Sequence, residues 1–545
     1  MESNTMCCLC IALLLTTLSC GTKEHADLLI YNAKVYTVNE QFTQAEAFAV
    51  RDGKFVEVGS SADMLKMYDA DEVLDLQEAA VYPGFIDAHA HFYGYGTGLQ
   101  IADLSGSSSF EEVMERLMDH RQKHPEQAWL LGRGWDQNLW KEKAFPSREK
   151  LDELFTDIPV LLTRIDGHAA LANGKALELG GITASTSMLG GKVMLEKNIP
   201  TGILIDNAIG LVSEKIPELG LEEKKKALLA AQENCFQVGL TTVADAGLDR
   251  EIIELMEEMQ AEGSLKMRIY AMVNPSAKNK AHYFEKGPYQ TERMTLRGFK
   301  IFGDGALGSR GAALLQPYHD VPEEQGFLLS AVEEFEALAE EMYEHGFQMN
   351  THCIGDSTNR TILDIYAKIL KGENDRRWRI EHAQIVNSKD VGKFRENQII
   401  PSVQPTHATS DMYWAEDRLG PKRIHDAYIF KQLLDQNGYI ALGSDFPVEA
   451  INPLYGFHAA VARQDAKGWP EEGFQSKNRL SRQEALRGMT IWAAFANFEE
   501  DKKGSIEAGK LADFVILEED IMTAPAEKLR DIAVIGTYVG GEKVY

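Results

Sequence analysis

Cysteine is scarce over most of this 545-residue sequence. Only Cys235 and Cys353 lie beyond residue 20. The other four cysteines crowd the first 20 residues: Cys7, Cys8, Cys10 and Cys20. These spacings match neither a disulfide framework nor a zinc knuckle. A hydrophobic core must therefore hold the fold, and a chain of this length with 44% hydrophobic residues can build one.

Positively charged residues are also few: the sequence has 56 lysines and arginines against 83 aspartates and glutamates, which gives a formal net charge of −27. Nucleic-acid binding depends on clustered Lys and Arg that neutralise phosphates, so we expect no nucleic-acid partner. The 26% of charged residues is ordinary for a globular enzyme and does not indicate disorder.

Near the N-terminus the apolar run is short, and it covers only residues 10–15. It is too short to span a membrane, but with the following segment it resembles a bacterial lipoprotein signal. Residues 1–20 are then the signal, and Cys20 is the lipidated residue that anchors an exported protein to a bacterial cell-envelope membrane. Two features depart from the pattern: Glu2 without any Lys or Arg before the run, and Thr17 where leucine is usual. A simple secretion signal or a misassigned start codon is the alternative.

Short alternating strands fill both ends of the sequence. Within 26–81, Asp52-Gly53 separates two such strands and is typical of a β-hairpin turn. Residues 512–545 repeat this character. Neither end supplies enough strands for a stable sheet, so we predict one small β-sandwich built from 23–82 and 503–545, with the two chain ends close together.

The region between these ends alternates apolar strands with amphipathic helices, which indicates parallel βα units and an α/β fold. We predict a (β/α)₈ TIM barrel over 83–502. Residues of about 94–230 form an insertion too long for one crossover helix, and we expect it to cover the substrate side as a lid. The predicted barrel strands are 83–91, 241–247, 268–274, 298–304, 347–352, 378–382, 399–404 and 439–445.

Histidines and an aspartate stand at the ends of these strands, where a barrel carries its chemistry. His89 and His91 are two apart, so in a strand both imidazoles face one centre. His352, His382 and Asp445 end three further strands. Each alone could be a satisfied core group, but their convergence on one barrel mouth favours metal ligation.

Lys300 lies in the apolar strand 298–304, where an unpaired ammonium would be costly to bury. Asp304 shares its strand face and is expected to face the site as well. An ion pair of Lys300 with Asp304 or Asp445 is one explanation of the lysine.

The sequence resembles the metal-dependent amidohydrolase superfamily, and within it amidohydrolase family 3, in the branch that includes N-substituted formamide deformylases. The resemblance covers nearly the whole chain after residue 20. The matching stretches are PGFIDAHAHF, GRGWDQNLW, RIDGHAALAN, PTGIL, FGDGALGSR, THCIGD, RIEHAQ, VQPTH, GSDFPVE and GKLADFVIL.

The resemblance implies a second explanation of Lys300, a carbamate formed with CO₂ that bridges two divalent metals. His89 and His91 would hold one metal with Asp445, and His352 and His382 would hold the other. Two Zn²⁺ ions per chain are expected, with one ion as the alternative. The implied reaction is hydrolysis by metal-activated water, in which Asp445 takes the proton and returns it to the leaving nitrogen.

Further residues are candidates to contact the substrate. His168, in the insertion, is expected to orient the scissile carbonyl or stabilise its developing charge. The remaining predicted substrate contacts are Trp135, Asp136, Asp304, Gln404 and His407. For Trp135, aromatic packing within the insertion is the alternative.

The implied function is hydrolysis of a non-peptide C–N bond in a small-molecule amide, an N-acyl amine or an N-formyl amine. A deaminase is a nearby alternative, although those enzymes usually carry a glutamate three residues after the strand-five histidine, where this chain has Gly355. Lactone or ester hydrolysis is another. An alternative of a different functional class is a non-catalytic lipoprotein that binds a ligand at the cell surface. For assembly, a homodimer is an open prediction.

Overall fold

The structure is a computed structural model that describes residues 23–545. The predicted signal and its lipidation site at Cys20 lie outside the described residues and stay predictions. Within the described part of the chain, no helix has both the length and the apolar character needed to cross a membrane.

Eight parallel strands form the central barrel, and they are the eight that the sequence predicts. In chain order they are β1 (Phe85–Ala90), β2 (Leu240–Leu248), β3 (Arg268–Val273), β4 (Met294–Phe302), β5 (Gln348–His352), β6 (Arg379–Glu381), β7 (Ile400–Val403) and β8 (Ala441–Leu442). Every residue of β1, β3 and β5 is buried, as expected of strands covered on both faces.

Hydrogen bonds join each strand to the next from β1 to β8. The ring is then nearly closed by the chain that follows β8. The backbone N–H of Asp445 donates to His89 O at 2.8 Å, and that of Ser444 donates to Asp87 Oδ1 at 3.0 Å. The predicted α/β barrel is therefore confirmed, with Asp445 drawn against the end of β1.

Helices cover the outside of the barrel, and their apolar stripes recur at helical spacing. In Arg250–Ala261 the buried residues include Ile252, Ile253 and Met256, which lie on one face. The helices that follow the insertion are Leu221–Gln237, Arg250–Ala261, Ala277–Lys286, Val332–His345, Asp356–Leu370, Gly392–Glu396, Pro405–Asp411, Ala415–Arg423, Phe430–Asn437, Pro453–Ala462, Arg482–Gly488 and Ile491–Ala496. Short 3₁₀ turns are Ile424–Asp426, Ser476–Asn478 and Ala526–Lys528.

Two sheets lie outside the barrel, and one of them combines strands from the N-terminal and C-terminal parts of the described chain. In the second of them Phe514 pairs with Pro83 and Leu517 with Ala80, so strands from both ends share one sheet. The first sheet contains Glu24–Tyr31, Ala47–Arg51, Lys54–Gly59 and Tyr68–Asp75, with the helix Ser61–Met67 beside it. The second contains Lys34–Tyr36, Gln44–Ala45, Ala80–Pro83, Phe514–Leu517, Val534–Val539 and Glu542–Lys543.

The segment between β1 and β2 folds around a six-stranded sheet with its own buried apolar clusters. Its strands are Ala102–Asp103, Leu130–Trp135, Val160–Arg164, Ala169–Ala172, Gly191–Glu196 and Ile199–Asp206. Its helices are Phe92–Gly98, Phe110–Lys123, Glu149–Leu154, Gly174–Leu179 and Asn207–Ser213, with a 3₁₀ turn at Gln137–Leu139. This unit supplies one wall of the cavity described next.

Candidate metal centre and active site

A cavity of about 480 Å³ opens at the carboxyl ends of the barrel strands. The barrel contributes the polar side chains of its floor: His91, Lys300, His352, His382, His407 and Asp445. The insertion contributes the facing wall: Arg133, Asp136, Arg164, Asp166 and His168. The cavity thus lies between a rigid barrel and the inserted unit, at the face where such barrels carry their sites.

Asp445 lies at the centre of the floor. Its Oδ1 is 3.2 Å from His91 Nε2 and 3.7 Å from His89 Nε2, and its Oδ2 is 3.6 Å from His407 Nε2. Oδ1 is buried and has no hydrogen-bond partner among the described residues. Burial alone would raise its pKa, but the close contact with His91 and the other imidazoles nearby hold the pKa of Asp445 well below its usual value. The group is therefore a carboxylate at neutral pH.

Three histidines turn the same ring nitrogen toward this carboxylate. In each of them Nδ1 contacts an oxygen acceptor and carries the proton, which leaves the Nε2 lone pair for a cation. The Nδ1 contacts are His89 to Glu381 Oε2 at 2.6 Å, His91 to Ala246 O at 2.9 Å and His382 to Gln404 Oε1 at 2.7 Å.

Burial keeps the deep imidazoles neutral. It is the largest cause that lowers the pKa of His89, and it lowers the pKa values of His352 and His382 well below the ordinary range. Metal ligation requires neutral imidazole, so these histidines are in the ligating form at neutral pH.

Two groups of three side chains have ligand atoms close enough to share one metal ion. They are His89, His91 and Asp445, and His382, His407 and Asp445, with all ligand atoms of a group within 4.8 Å of one another. The orphaned Oδ1 of Asp445 and the orphaned Nε2 of His407 also fit cation ligands. The donor set therefore fits a pair of divalent metals that share Asp445.

His352 is placed beside the second group, and its ring centre is 4.5 Å from that of His382. Its Nε2 is buried 3.8 Å from Asp304 Oδ1 and has no hydrogen-bond partner among the described residues. The sequence assigned His352 to the metals and His407 to the substrate. The structure places both imidazoles next to His382, so His407 joins the candidate ligands.

Lys300 lies on β4 with 1% of its surface exposed. Its Nζ is 2.9 Å from His89 Nε2, and burial lowers the pKa of the amine to about 8. Neither Asp304 nor Asp445 lies within ion-pair distance of Lys300 among the described residues, although the charges of Glu381 and Asp445 favour the ionised amine. The amine lies where a bridging group between the two candidate clusters would be attached.

His168 faces the metal candidates from the inserted unit. Its Nδ1 is 2.6 Å from Asp206 Oδ1, and its ring centre is 4.8 Å from that of His352. Burial opposes protonation, but the hydrogen bond with Asp206 and its charge raise the pKa of His168 overall. A polarised N–H donor therefore lines the cavity where the sequence predicted one.

Three predicted substrate contacts do not line the cavity. Trp135 packs in the core of the inserted unit and donates from Nε1 to Leu162 O at 2.8 Å. Asp304 follows the end of β4 at Phe302, so the strand alternation that should aim it inward no longer applies. Gln404 is buried behind His382 and orients its ring. Of the five predicted contacts, only Asp136 and His407 line the cavity.

Asp304 has a different use. Its carboxylate accepts backbone N–H groups from Ala313, Ile354 and Gly355 at 2.8–3.0 Å and the hydroxyl of Thr358 at 2.8 Å. These bonds tie the loop after β4 to the loop after β5. Asp304 therefore fixes the chain that carries His352.

The sequence analysis did not identify several residues that the structure places at or near candidate sites. Glu381 fixes His89, and the signal for it was its place directly before His382 in the RIEHAQ stretch. Arg133 lines the cavity, and it belongs to the GRGWDQNLW stretch, where nothing in the spacing indicated its direction. An exposed group of His25, Asp27 and Asp71 lies in the first outer sheet, near the start of the described residues.

This fold and donor set define a metal-dependent hydrolase barrel, and the chain belongs to the amidohydrolase family. The family model matches residues 72–545. The chain is 34% identical over 541 residues to the protein LONG AFTER FAR-RED 3 of Arabidopsis thaliana, covering 95% of this chain and 92% of that one. It is 29% identical over 543 residues to an N-substituted formamide deformylase of Arthrobacter pascens, covering 94% and 97%.

A solved structure shows the same architecture. It is an uncharacterized metal-dependent hydrolase from Pyrococcus horikoshii, with a TM-score of 0.75 and 28% sequence identity. The similarity covers 92% of this chain and 99% of that one. The predicted family is therefore confirmed, and so is the similarity to a formamide deformylase.

Proposed function

We propose that this protein is a hydrolase that cleaves a non-peptide C–N bond in an amide, an N-acyl amine or an N-formyl amine. The observation that carries the proposal is Asp445, a buried carboxylate shared by two groups of metal-ligating histidines at the floor of a cavity. Family membership and the similarity to an N-substituted formamide deformylase support the C–N bond as the target.

The metal ions would be held by His89 and His91 on one side and by His382 with His352 or His407 on the other, with Asp445 between them. Zinc suits these imidazole-rich ligands, and two ions per chain are proposed. Lys300, carboxylated on Nζ by CO₂, would supply the bridging anion next to His89. Bound divalent metals lower the pKa of water and polarise a carbonyl, which is the chemistry they would supply here.

Asp445 moves the proton in this proposal. Its carboxylate is ionised, so it can accept a proton from the attacking water. The same carboxyl group then gives the proton to the leaving nitrogen, as a base that becomes an acid.

His168 acts from the opposite wall. Asp206 fixes its Nδ1, so Nε2 is the ring nitrogen left to face the substrate. A raised pKa favours the protonated ring, which can donate to the carbonyl oxygen as negative charge develops there. The cavity residues thus supply a proton shuttle on one side and a hydrogen-bond donor on the other.

A deaminase is disfavoured by the chain after β5. A side chain at Gly355 would place its Cβ 1.9 Å from Ala313 O, so the glutamate usual in those enzymes has no room at this position. The neighbouring Asp356 accepts the backbone N–H of Leu315 at 2.8 Å and does not line the cavity. Ester and lactone hydrolysis would use the same floor and are included in the test.

The test is amine release from N-formyl and N-acyl amines by the full chain expressed with zinc and bicarbonate, with matched esters and lactones and with aminated purines in the same panel. Asp445→Asn is expected to lower kcat for the best amide by about 10²-fold or more. Asp435→Asn, on an outer helix, is the control and should leave kcat unchanged. Faster ammonia release from the purines would contradict the amide proposal, and binding without turnover of any substrate would favour the binding-protein reading.

A further inference from the structure

Arg133 is a cation in the cavity wall without a carboxylate partner. It lies on the strand Leu130–Trp135 of the inserted unit, and its Nη2 donates to Ile165 O at 3.1 Å. Its Nε is buried and has no hydrogen-bond partner among the described residues. No acidic group of the described residues lies within ion-pair distance of this guanidinium. Burial lowers its pKa, as expected of a charge that has lost water without gaining a counter-ion.

The neighbouring Arg164, in the same wall, differs from Arg133 because its guanidinium has carboxylate partners. Its Nη1 is 2.5 Å from Asp166 Oδ2 and its Nη2 contacts Asp136. Its Nε donates to Gln137 Oε1 at 2.7 Å. Internal carboxylates therefore balance Arg164.

Asp166 is not available to Arg133. Its Oδ2 is taken by Arg164, and its Oδ1 accepts the backbone N–H of His168 at 3.0 Å. Asp445, on the cavity floor, is the charge that most favours the ionised form of Arg133, yet it lies beyond ion-pair distance. The space between Arg133 and the Asp445 cluster is the cavity itself.

We propose that Arg133 binds a carboxylate of the substrate, which makes N-acyl or N-formyl amines with a free carboxylate beside the amide the preferred substrate class. This inference rests on the proposed C–N hydrolase function. Arginine matches the planar carboxylate and forms charge-assisted hydrogen bonds, which are among the stronger ones in proteins. A cavity of about 480 Å³ has room for an amide and a carboxylate together.

The first experiment compares hydrolysis of a matched pair, N-acetylphenylalanine and its decarboxylated analogue N-acetylphenethylamine. We expect the wild type to prefer the acid, and Arg133→Gln to raise KM for the acid by roughly tenfold to a hundredfold while leaving KM for the neutral amide unchanged. Lys123→Gln is the matched control, since it removes one positive charge from an exposed helix of the same unit. An equal fall of kcat on both substrates, without a change in their KM ratio, would assign Arg133 to transition-state stabilisation and overturn the proposal.

A second experiment separates this inference from the proposed function. Calorimetric binding of 3-phenylpropionate and 3-phenylpropanol to the zinc-loaded full chain needs no turnover. The acid should bind more tightly than the alcohol in the wild type and in Lys123→Gln, and Arg133→Gln should remove most of that preference.

If amides are not hydrolysed but the Arg133-dependent preference is seen, the C–N proposal fails and the carboxylate subsite stands. A preference that survives in Arg133→Gln would mean that metals or other groups bind the acid, and the subsite would be wrong. Should Arg133→Gln not fold, Arg133→Lys retains the charge without the planar fork. Arg133→Lys is expected to keep part of the preference for the acid over the alcohol.

A wild-type protein that binds the acid and the alcohol equally well would overturn the inference.

Discussion

At the residue scale, two of the candidate metal ligands have unusual backbone conformations. His382 and Asp445 have φ values of 72° and 64°, in the left-handed region. Each comes just after a barrel strand, β6 or β8, and the turn aims its side chain across the barrel mouth. Such conformations cost of order 1–3 kcal/mol and persist where the surrounding structure enforces them, as at functional sites.

Lys300 is the residue whose role the structure narrows most. Replacing it with alanine should lower the metal content from about two ions per chain to about one or fewer, because the bridging anion is lost. Elemental analysis of Lys300→Ala beside the wild type measures this. Acetate or propionate should restore part of the activity by standing in for the carbamate.

A Lys300→Ala enzyme with full metal content and full activity in the absence of added carboxylate would contradict the proposal that Lys300 carries a bridging carbamate. Lys503→Ala is no suitable control, since that buried lysine pairs with Glu499 in the fold. Lys123→Ala, on the exposed face of the inserted unit, is suitable.

Residue by residue, the sequence could predict the side chains that end strands. His89, Lys300 and His352 lie on barrel strands, so alternation and the carboxyl ends of parallel strands fix their direction. Asp304 and Gln404 could not be predicted in the same way, because both lie past the last strand residue. Past that point, loop hydrogen bonds and no longer the pleat decide where a side chain points.

At the scale of elements, the barrel closes where the chain after β8 meets β1. Gly443 lies at this contact, and a Cβ there would be 2.6 Å from His89 N and 2.9 Å from His89 O. Gly443→Ala should therefore destabilise the fold by at least about 2–3 kcal/mol, through overpacking against backbone that cannot give way. Urea unfolding of the two proteins measures the difference.

Gly456 supplies the matched control for that substitution. It lies in the helix Pro453–Ala462, and a Cβ there would meet nothing within 4 Å. Gly456→Ala should be neutral or stabilise by roughly 0.5–1 kcal/mol, because alanine is the better helix former. Equal effects of the two substitutions would contradict the account of barrel closure.

Element boundaries were harder to predict than element existence. The last strand was predicted over 439–445, yet β8 contains only Ala441–Leu442. Gly443 and Asp445 leave the sheet because closure against β1 and the turn at Asp445 replace regular pairing. For Trp135 the sequence left two alternatives open, a substrate contact or aromatic packing within the insertion, and the side chain packs inside the inserted unit.

At the scale of the whole molecule, an ion pair joins the outer sheet to the barrel. Arg268 of β3 binds Asp513 through Nε at 2.7 Å and Nη2 at 3.0 Å, and both side chains are buried. Asp513→Asn should destabilise the protein by about 3–5 kcal/mol at neutral pH, since it leaves the Arg268 charge buried without its partner. Urea unfolding against Asp531→Asn, an exposed aspartate, measures this.

The same pair predicts a pH dependence. Burial alone would raise the pKa of Asp513, but the charge and hydrogen bonds of Arg268 bring it below the usual value in the folded state. A depressed folded pKa contributes stability that is complete above the unfolded pKa and is lost as the pH falls through the folded pKa. The stability difference between wild type and Asp513→Asn should therefore be constant from about pH 8 to 5 and narrow from about pH 4 downward. Narrowing already between pH 7 and 6 would contradict this assignment.

The substrate cavity is itself a whole-molecule feature, because its floor and facing wall come from segments that are distant in sequence. The sequence predicts that the insertion after β1 covers the substrate side, and residues of the insertion line the cavity together with barrel residues. It could not predict that Arg133 enters the cavity while Arg164 is balanced by Asp136 and Asp166. That distinction depends on the three-dimensional arrangement of four charges, and no spacing records it.

The most direct test of the central claim is a crystal structure of the full chain grown with zinc and bicarbonate, with anomalous scattering measured at the zinc edge. The account predicts two peaks on either side of Asp445, about 2.0–2.1 Å from the Nε2 atoms of His89 and His382, and extra density on Lys300 Nζ. No peak at the cavity floor, or zinc only at the exposed group of His25, Asp27 and Asp71, would contradict it.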